Sequence, residues 1–250
     1  MRPTIVMIHG MCVLGSFWDN FKLYFESAGY NCLAPDLPLH RLGEPDPGVG
    51  MIGLDQYVSS IAKIVNTLPE PPIIFGHSMG GLLAQLVACQ TPVRALVLMA
   101  PATPRGIIAI TPSVLACFAE VLFKPAFWKK PFRFSRRAAF GYILNCLPAE
   151  TTESIYQDLV YESGRAAAEI GFWFLDKARA SEIDCSKLQM PILIMTGAKD
   201  RITPLRPLKQ LVQKLPSASY HEYPENGHML TMEAGWQQKA DLILDWLKVS

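Results

Sequence analysis

Pro72-Ile73-Ile74-Phe75-Gly76-His77-Ser78-Met79-Gly80-Gly81 is the most informative stretch of this 250-residue chain. Residues 72–75 form an apolar run suited to a buried strand, and residues 79–89 suit an apolar helix. The serine between them falls in a bend too sharp for large neighbours. Gly76 and Gly80 keep side chains out of that bend, so the hydroxyl stands clear of the strand. The helix N-terminus behind it favours developing negative charge. A phosphate-binding loop is excluded, because no lysine follows the glycines as a Walker motif requires. The competing possibility, a glycine-rich turn carrying a solvated serine, leaves the flanking strand and helix unexplained.

Working outward, the same grammar repeats. Apolar runs rich in β-branched residues at 4–8, 31–34 and 94–99 suit strands buried on both faces. Amphipathic segments at 17–28 and 54–68 separate them, which implies βαβ units with right-handed crossovers. The alternation stops near residue 104. It resumes with a strand at 191–196, a helix near 207–215, a short strand at 218–223 and a final helix over 232–247. The expected fold class is therefore α/β: a mostly parallel, doubly wound sheet of about six strands. Its core comprises residues 1–103 and 181–250, interrupted by a helical cap at 104–180. That insertion shows helical periodicity without a convincing core strand and holds eight of the twelve Phe, with Trp128 and Trp173.

Composition narrows the classes. Half the residues are hydrophobic and 18% are charged, enough to bury a sizeable core. Lys and Arg number 23 against 22 Asp and Glu, so no global field recruits nucleic acid. The six cysteines are scattered, with no C-x-x-C pair and no zinc spacing; they read as thiols of a reducing, cytoplasmic compartment. The run ahead of residue 9 is too short for a signal peptide. Residues 106–123 are apolar and precede Lys124, Lys129, Lys130, Arg133, Arg136 and Arg137, but Pro112 and Glu120 interrupt them. Stable membrane insertion is not expected, and at most a weak interfacial contact through the cap remains.

A serine hydroxyl needs a base, and the base needs an acid. His228, in Glu225-Asn226-Gly227-His228-Met229, follows the last strand and sits at the sheet's C-terminal edge. His221 lies inside a strand and His77 inside the bend. Asp200, in Gly197-Ala198-Lys199-Asp200, follows the strand at 191–196 and reaches the same edge. Asp184 precedes that strand, and Glu225 is three residues from the histidine. Taken together, Ser78, Asp200 and His228 in this chain order resemble the α/β-hydrolase family, with Gly76-His77-Ser78-Met79-Gly80 as its nucleophile elbow. His9-Gly10, Trp18, Pro35-Asp36-Leu37-Pro38 and Gly227-His228 follow in family order. Larger members open with two further strands, which are expected to be absent here. Relatives also often read Asp-Leu-Pro-Gly-His-Gly where this chain has Asp36-Leu37-Pro38-Leu39-His40-Arg41.

The resemblance implies an oxyanion hole from the backbone N–H groups of Met79 and Met11, or of Cys12 if the loop is shifted by one residue. Each donor contributes about 3 kcal/mol to the transition state. His9 is then expected to brace that loop. Candidate substrate contacts are Cys12, Trp18, His40, Phe127, Trp128 and Trp173, with Arg41 beside them. The implied activity is a serine hydrolase cleaving a carboxylic ester or lactone of a small, largely apolar molecule through an acyl-serine intermediate, with no metal or organic cofactor. Thioesterase, C–C hydrolase or lyase chemistry on the same triad, or a non-catalytic small-molecule receptor, are the alternatives. The basic cluster in the cap is either a solvated face or a contact for an acidic tail such as a coenzyme A thioester.

Overall fold

The computed structural model describes residues 2–249; Met1 and Ser250, the outer ends expected for the two core segments, lie outside the described residues. The chain opens with β1 (Thr4–Ile8), α1 (Asp19–Ser27), β2 (Asn31–Leu33), α2 (Leu54–Asn66), β3 (Ile73–His77), α3 (Met79–Ala88) and β4 (Ala95–Met99). Between β4 and the next core strand come α4 (Pro112–Leu122), β5 (Pro131–Phe132), α5 (Arg136–Ala138), α6 (Ala149–Gln157), β6 (Glu162–Ser163) and α7 (Gly164–Gly171). The core resumes with β7 (Ile192–Gly197), α8 (Leu205–Lys214), β8 (Ser219–Tyr223) and α9 (Trp236–Val249).

Six strands form one parallel sheet in the order β2-β1-β3-β4-β7-β8. Alternate residues feed two apolar layers, as the two-residue period of a strand requires. Ile5, Met7, Phe75, Val97 and Met195 pack against Phe21 and Phe25 of α1 and Ile243 of α9. Val6, Ile8, Ile74, Leu98 and Ile194 pack against Tyr57 and Ile61 of α2, Leu82 and Leu83 of α3, and Leu208 of α8. All ten residues of α3 are buried, which explains its lack of a polar face.

The chain winds from β1 outward to β2, then returns to place β3 on the other side of β1. Loops leaving β1 and β3 therefore diverge, and open α/β sheets bind ligands in the crevice such a switch leaves. Ile8 lies opposite Gly76 in the register, so the loop after β1 starts level with the bend that carries Ser78.

Most element ends fall within two residues of the sequence expectation, and two larger differences stand out. The last helix begins at Trp236 rather than 232, because Gly235 takes φ +77 and the turn before it closes through Met232 and Glu233 N–H bonds to the Met229 carbonyl. In the 104–180 segment β5 and β6 pair antiparallel; each is two residues long, too short to leave a two-residue pattern in the sequence. Residues 106–123 yield only the 11-residue α4, started by Thr111, which accepts from the Val114 N–H, and by Pro112. At 1.5 Å per residue it extends about 16 Å, half of a bilayer core, and no helix among the described residues is long and apolar enough to cross a membrane.

Candidate active site

Ser78 joins β3 to α3 at φ 54 and ψ −121, a conformation that costs a non-glycine residue about 1–3 kcal/mol. Its surroundings hold it there. The Ser78 N–H donates to the Met99 carbonyl (3.1 Å), and its own carbonyl accepts from Gly81 (2.9 Å) and Ala102 (2.8 Å). The glycines are steric requirements: a Cβ on Gly76 would lie 2.4 Å from the Gly80 oxygen, and one on Gly80 would lie 2.2 Å from the Ile8 oxygen.

His228 follows β8 and is buried. Its Nδ1 lies 2.8 Å from Asp200 Oδ2, in the loop after β7. Asp200 also accepts the N–H groups of Ile202 (2.7 Å) and Thr203 (2.9 Å) on Oδ1, and the Thr203 hydroxyl (2.7 Å) on Oδ2. Burial works against its charge, but His228 and these hydrogen bonds prevail and hold Asp200 below the usual carboxylate range. A charged acceptor on Nδ1 fixes the imidazole tautomer that leaves Nε2 able to take a proton.

Two neighbours brace this histidine from outside the set read in the sequence. Glu233 accepts the Gly227 N–H (2.7 Å) and the Met229 N–H (2.9 Å), clasping the backbone on either side of His228. His77 donates from Nε2 to the His228 carbonyl (2.9 Å) and stacks on Phe17. Burial, with His228 alongside, pushes the His77 pKa down to about 3, so it sits neutral. The other candidates lie elsewhere. His221 is paired within β8 to Met195. The Asp184 carbonyl meets Cys89 at the far end of α3, while its carboxylate binds Ser186. Glu225 is exposed and pairs with Lys199.

His9 closes β1. Its Nδ1–H donates to the Gly10 carbonyl (2.8 Å) and its Nε2 accepts the Leu37 N–H (2.9 Å), so both nitrogens hold the loop in place. Burial, with His40 nearby, pushes its pKa down to about 4. Of the two amides considered for the oxyanion site, that of Cys12 is already engaged, donating to Glu162 Oε2 (3.3 Å). The N–H groups of Met11 and Met79 have no acceptor among the described residues.

Ser78 borders two apolar cavities. The larger, about 100 Å³, lies between Met79, Ala102 and Thr103 of the core and Leu115, Phe118, Phe127, Ile170 and Phe172 of the 104–180 segment. The smaller, about 40 Å³, lies against His77, His228 and Met229 beneath Phe134, Leu144 and Leu159. Met11, Phe118 and Ile202 line both. Of the substrate contacts expected from sequence, Phe127 reaches the larger cavity; the other five are not brought to either. Trp18 is buried in the core between Phe17, Phe21 and Phe75. Cys12 is sealed beneath Phe132, and burial raises its thiol pKa far out of the reactive range. His40 is paired inside the protein with Glu162. Trp128 lines an outer groove, and Trp173 donates to the Ile107 carbonyl and stacks with Arg105. Arg41 is exposed and holds its own loop. None of the six basic residues of the 104–180 segment lines either cavity: Arg133 donates to the Tyr156 carbonyl and Arg136 pairs with Glu153.

Residues 5–241 match the alpha/beta hydrolase family, and the chain belongs to it. A pimeloyl-[acyl-carrier protein] methyl ester esterase of Chromobacterium violaceum is 25% identical over 246 residues, covering 90% of this chain and 87% of that protein. A non-heme chloroperoxidase of Streptomyces lividans is 25% identical over 210 residues, covering 80% of this chain and 75% of that protein. In three dimensions the chain is similar to a methylesterase of Arabidopsis, with a TM-score of 0.76, 17% identity and full coverage of both chains.

Proposed function

We propose that this chain is a serine hydrolase that cleaves carboxylic esters or lactones of largely apolar substrates. The observation that carries the proposal is that Ser78, held at φ 54, and the Asp200-paired His228 border one cavity, beside two unengaged N–H groups. The esterase names of the relatives support the same chemistry.

Ser78 Oγ bonds to the ester carbonyl carbon as His228 takes its proton, and the carbonyl electron pair moves onto oxygen. The Met11 and Met79 N–H groups receive that oxyanion. Collapse of the adduct breaks the bond to the alcohol oxygen, which leaves with the proton from His228. A water then gives a proton to His228 and attacks the acyl carbon, and Ser78 Oγ leaves with that proton, releasing the acid. Asp200 stays ionised throughout. The leaving oxygen must meet His228, so the alcohol occupies the smaller cavity and the acyl chain the larger, beneath a lid formed by residues 104–180. The six free thiols support a reducing, cytoplasmic setting.

The test is turnover of short nitrophenyl esters and labelling by a serine-directed phosphonate. Both are expected in the unaltered protein and lost in Ser78→Ala. Labelling at another residue would overturn the nucleophile, and tight ligand binding without turnover would replace the hydrolase with a receptor.

A further inference from the structure

Glu162 is the most completely enclosed acid in the molecule outside the site just described, with no solvent exposure. It belongs to β6 in the 104–180 segment, yet all of its partners but one lie in the core. Its Oε1 accepts the Tyr57 hydroxyl (2.8 Å) and the Ser163 N–H (2.7 Å). Its Oε2 faces His40 Nε2 (3.0 Å) and accepts the Cys12 N–H (3.3 Å). A buried carboxylate is costly unless paired and fully hydrogen-bonded, and here His40 supplies the pairing and the other three donors the remainder. Burial opposes the His40 charge, but Glu162 raises its pKa above the usual histidine value.

Cys12 follows Met11, and its φ of 61 is one of six positive values among the described non-glycine residues. Left-handed backbone costs such a residue about 1–2 kcal/mol, so it persists only where neighbours hold it. Two bonds from the 104–180 segment do so: Glu162 takes the Cys12 N–H, and the Cys12 carbonyl accepts the Val160 N–H at 2.8 Å. The Cys12 nitrogen belongs to the planar peptide that begins at the Met11 carbonyl. The Met11 N–H lies one plane earlier, in the peptide whose Gly10 carbonyl His9 holds (2.8 Å), so fixing the two planes that follow closes the turn around Met11 from its other side.

We propose that Glu162 is a positioning residue for the oxyanion hole: its carboxylate, held by His40 and Tyr57, clamps the Cys12 amide and so sets the Met11 N–H toward Ser78. This rests on Met11 serving as the oxyanion donor. The clamp makes residues 160–162 part of the catalytic frame, and it gives His40 a role inside the protein.

The test compares the unaltered protein with Glu162→Gln and Tyr57→Phe, on three readings: ester kinetics, the inhibition constant of a trifluoromethyl ketone, and the affinity of an unreactive ether analogue of the ester. The ketone adds to Ser78 and places an oxyanion in the hole; the ether does not. A Gln side chain turns one acceptor into a donor facing the groups it must accept. With Glu162→Gln, kcat is expected to fall about 10²-fold, the scale of one lost oxyanion donor. Ketone affinity falls by a similar factor, while KM and ether affinity stay within about threefold. Tyr57→Phe loosens the carboxylate without removing it and gives a smaller loss of the same pattern, which serves if Glu162→Gln does not fold. Unchanged kcat, or a kcat loss with ketone affinity intact, would overturn the clamp. If the unaltered protein neither turns over esters nor binds the ketone at Ser78, the hydrolase reading is what fails. The clamp is then decided by the amide resonances of Met11 and Cys12, which must shift in Glu162→Gln.

Discussion

Asp200 makes its four hydrogen bonds with a division of labour: Oδ1 shapes its own turn, and Oδ2 serves His228 and Thr203. Asp200→Asn can keep Oδ1 and the turn, but it replaces Oδ2 with an amide that donates. The imidazole then turns its proton-bearing nitrogen toward Ser78 and ceases to be a base. Turnover of a nitrophenyl ester is expected to drop about 10⁴-fold with KM little changed; near-normal kcat would move the acid elsewhere. Asp200, His228 and Ser78 were legible in the sequence because each follows a strand and is announced by local turn residues. Glu233, Thr203 and Glu162 were not. Glu233 and Glu162 act on backbone amides they meet only in the fold, 150 residues away in the case of Glu162 and Cys12. The most local signal was Thr203, three residues beyond Asp200 in the loop ahead of α8.

Helical content in the 104–180 segment was legible, but which face of each helix looks inward was not. Periodicity gives a stripe without giving its orientation to a distant serine. Phe127 was therefore identified alongside Trp128, although only the first reaches the larger cavity. Phe118 and Phe172, which line it too, were in the aromatic inventory with nothing to single them out. α4 and α7 supply most of the cover over that cavity, and Ala167 of α7 faces it. Methyl esters of long acids are expected to outrun acetates of long alcohols in kcat/KM, followed by acid release. Ala167→Trp should raise KM at least tenfold for the long-acid methyl esters while leaving methyl acetate within about twofold. The opposite preference in the unaltered protein would reverse the assignment of the two cavities.

Across the whole molecule, the centre of the doubly wound sheet was the most readable part, because β3, β4 and β7, buried on both faces, are continuous apolar runs, whereas the edge strand β8 is only partly buried. The internal charge balance was not readable, and it governs acid stability. His9 and His77 are held neutral, with pKa values pushed down to about 4 and about 3 from an ordinary 6.5. Between those values and 6.5 the unfolded chain binds the more protons, so stability rises with pH across this window and is lost as pH falls. Two such groups give a slope of up to roughly 3 kcal/mol per pH unit, against a total of about 5–15 kcal/mol. His40 is shifted the other way, and its contribution is lost only as pH rises through its folded value. Urea midpoints are expected to drop clearly from pH 7 to pH 5, and equal midpoints would refute this origin. The stitching of residues 160–169 to the core has one more result. Ser163 Oγ also donates to the Ile52 carbonyl (2.6 Å), and Glu169 accepts the Leu54 N–H (2.7 Å), so swinging the cover open as one piece would strip several buried bonds at about 1–3 kcal/mol each. Phe127 and Phe172 form a thin wall between the larger cavity and the outer groove, their ring centroids 6.0 Å apart. Parting two rings breaks none of those bonds. A slot between these rings is expected to admit a slender chain end-first and to exclude a fused ring system, and comparing kcat/KM for a linear and a fused-ring acyl ester checks it.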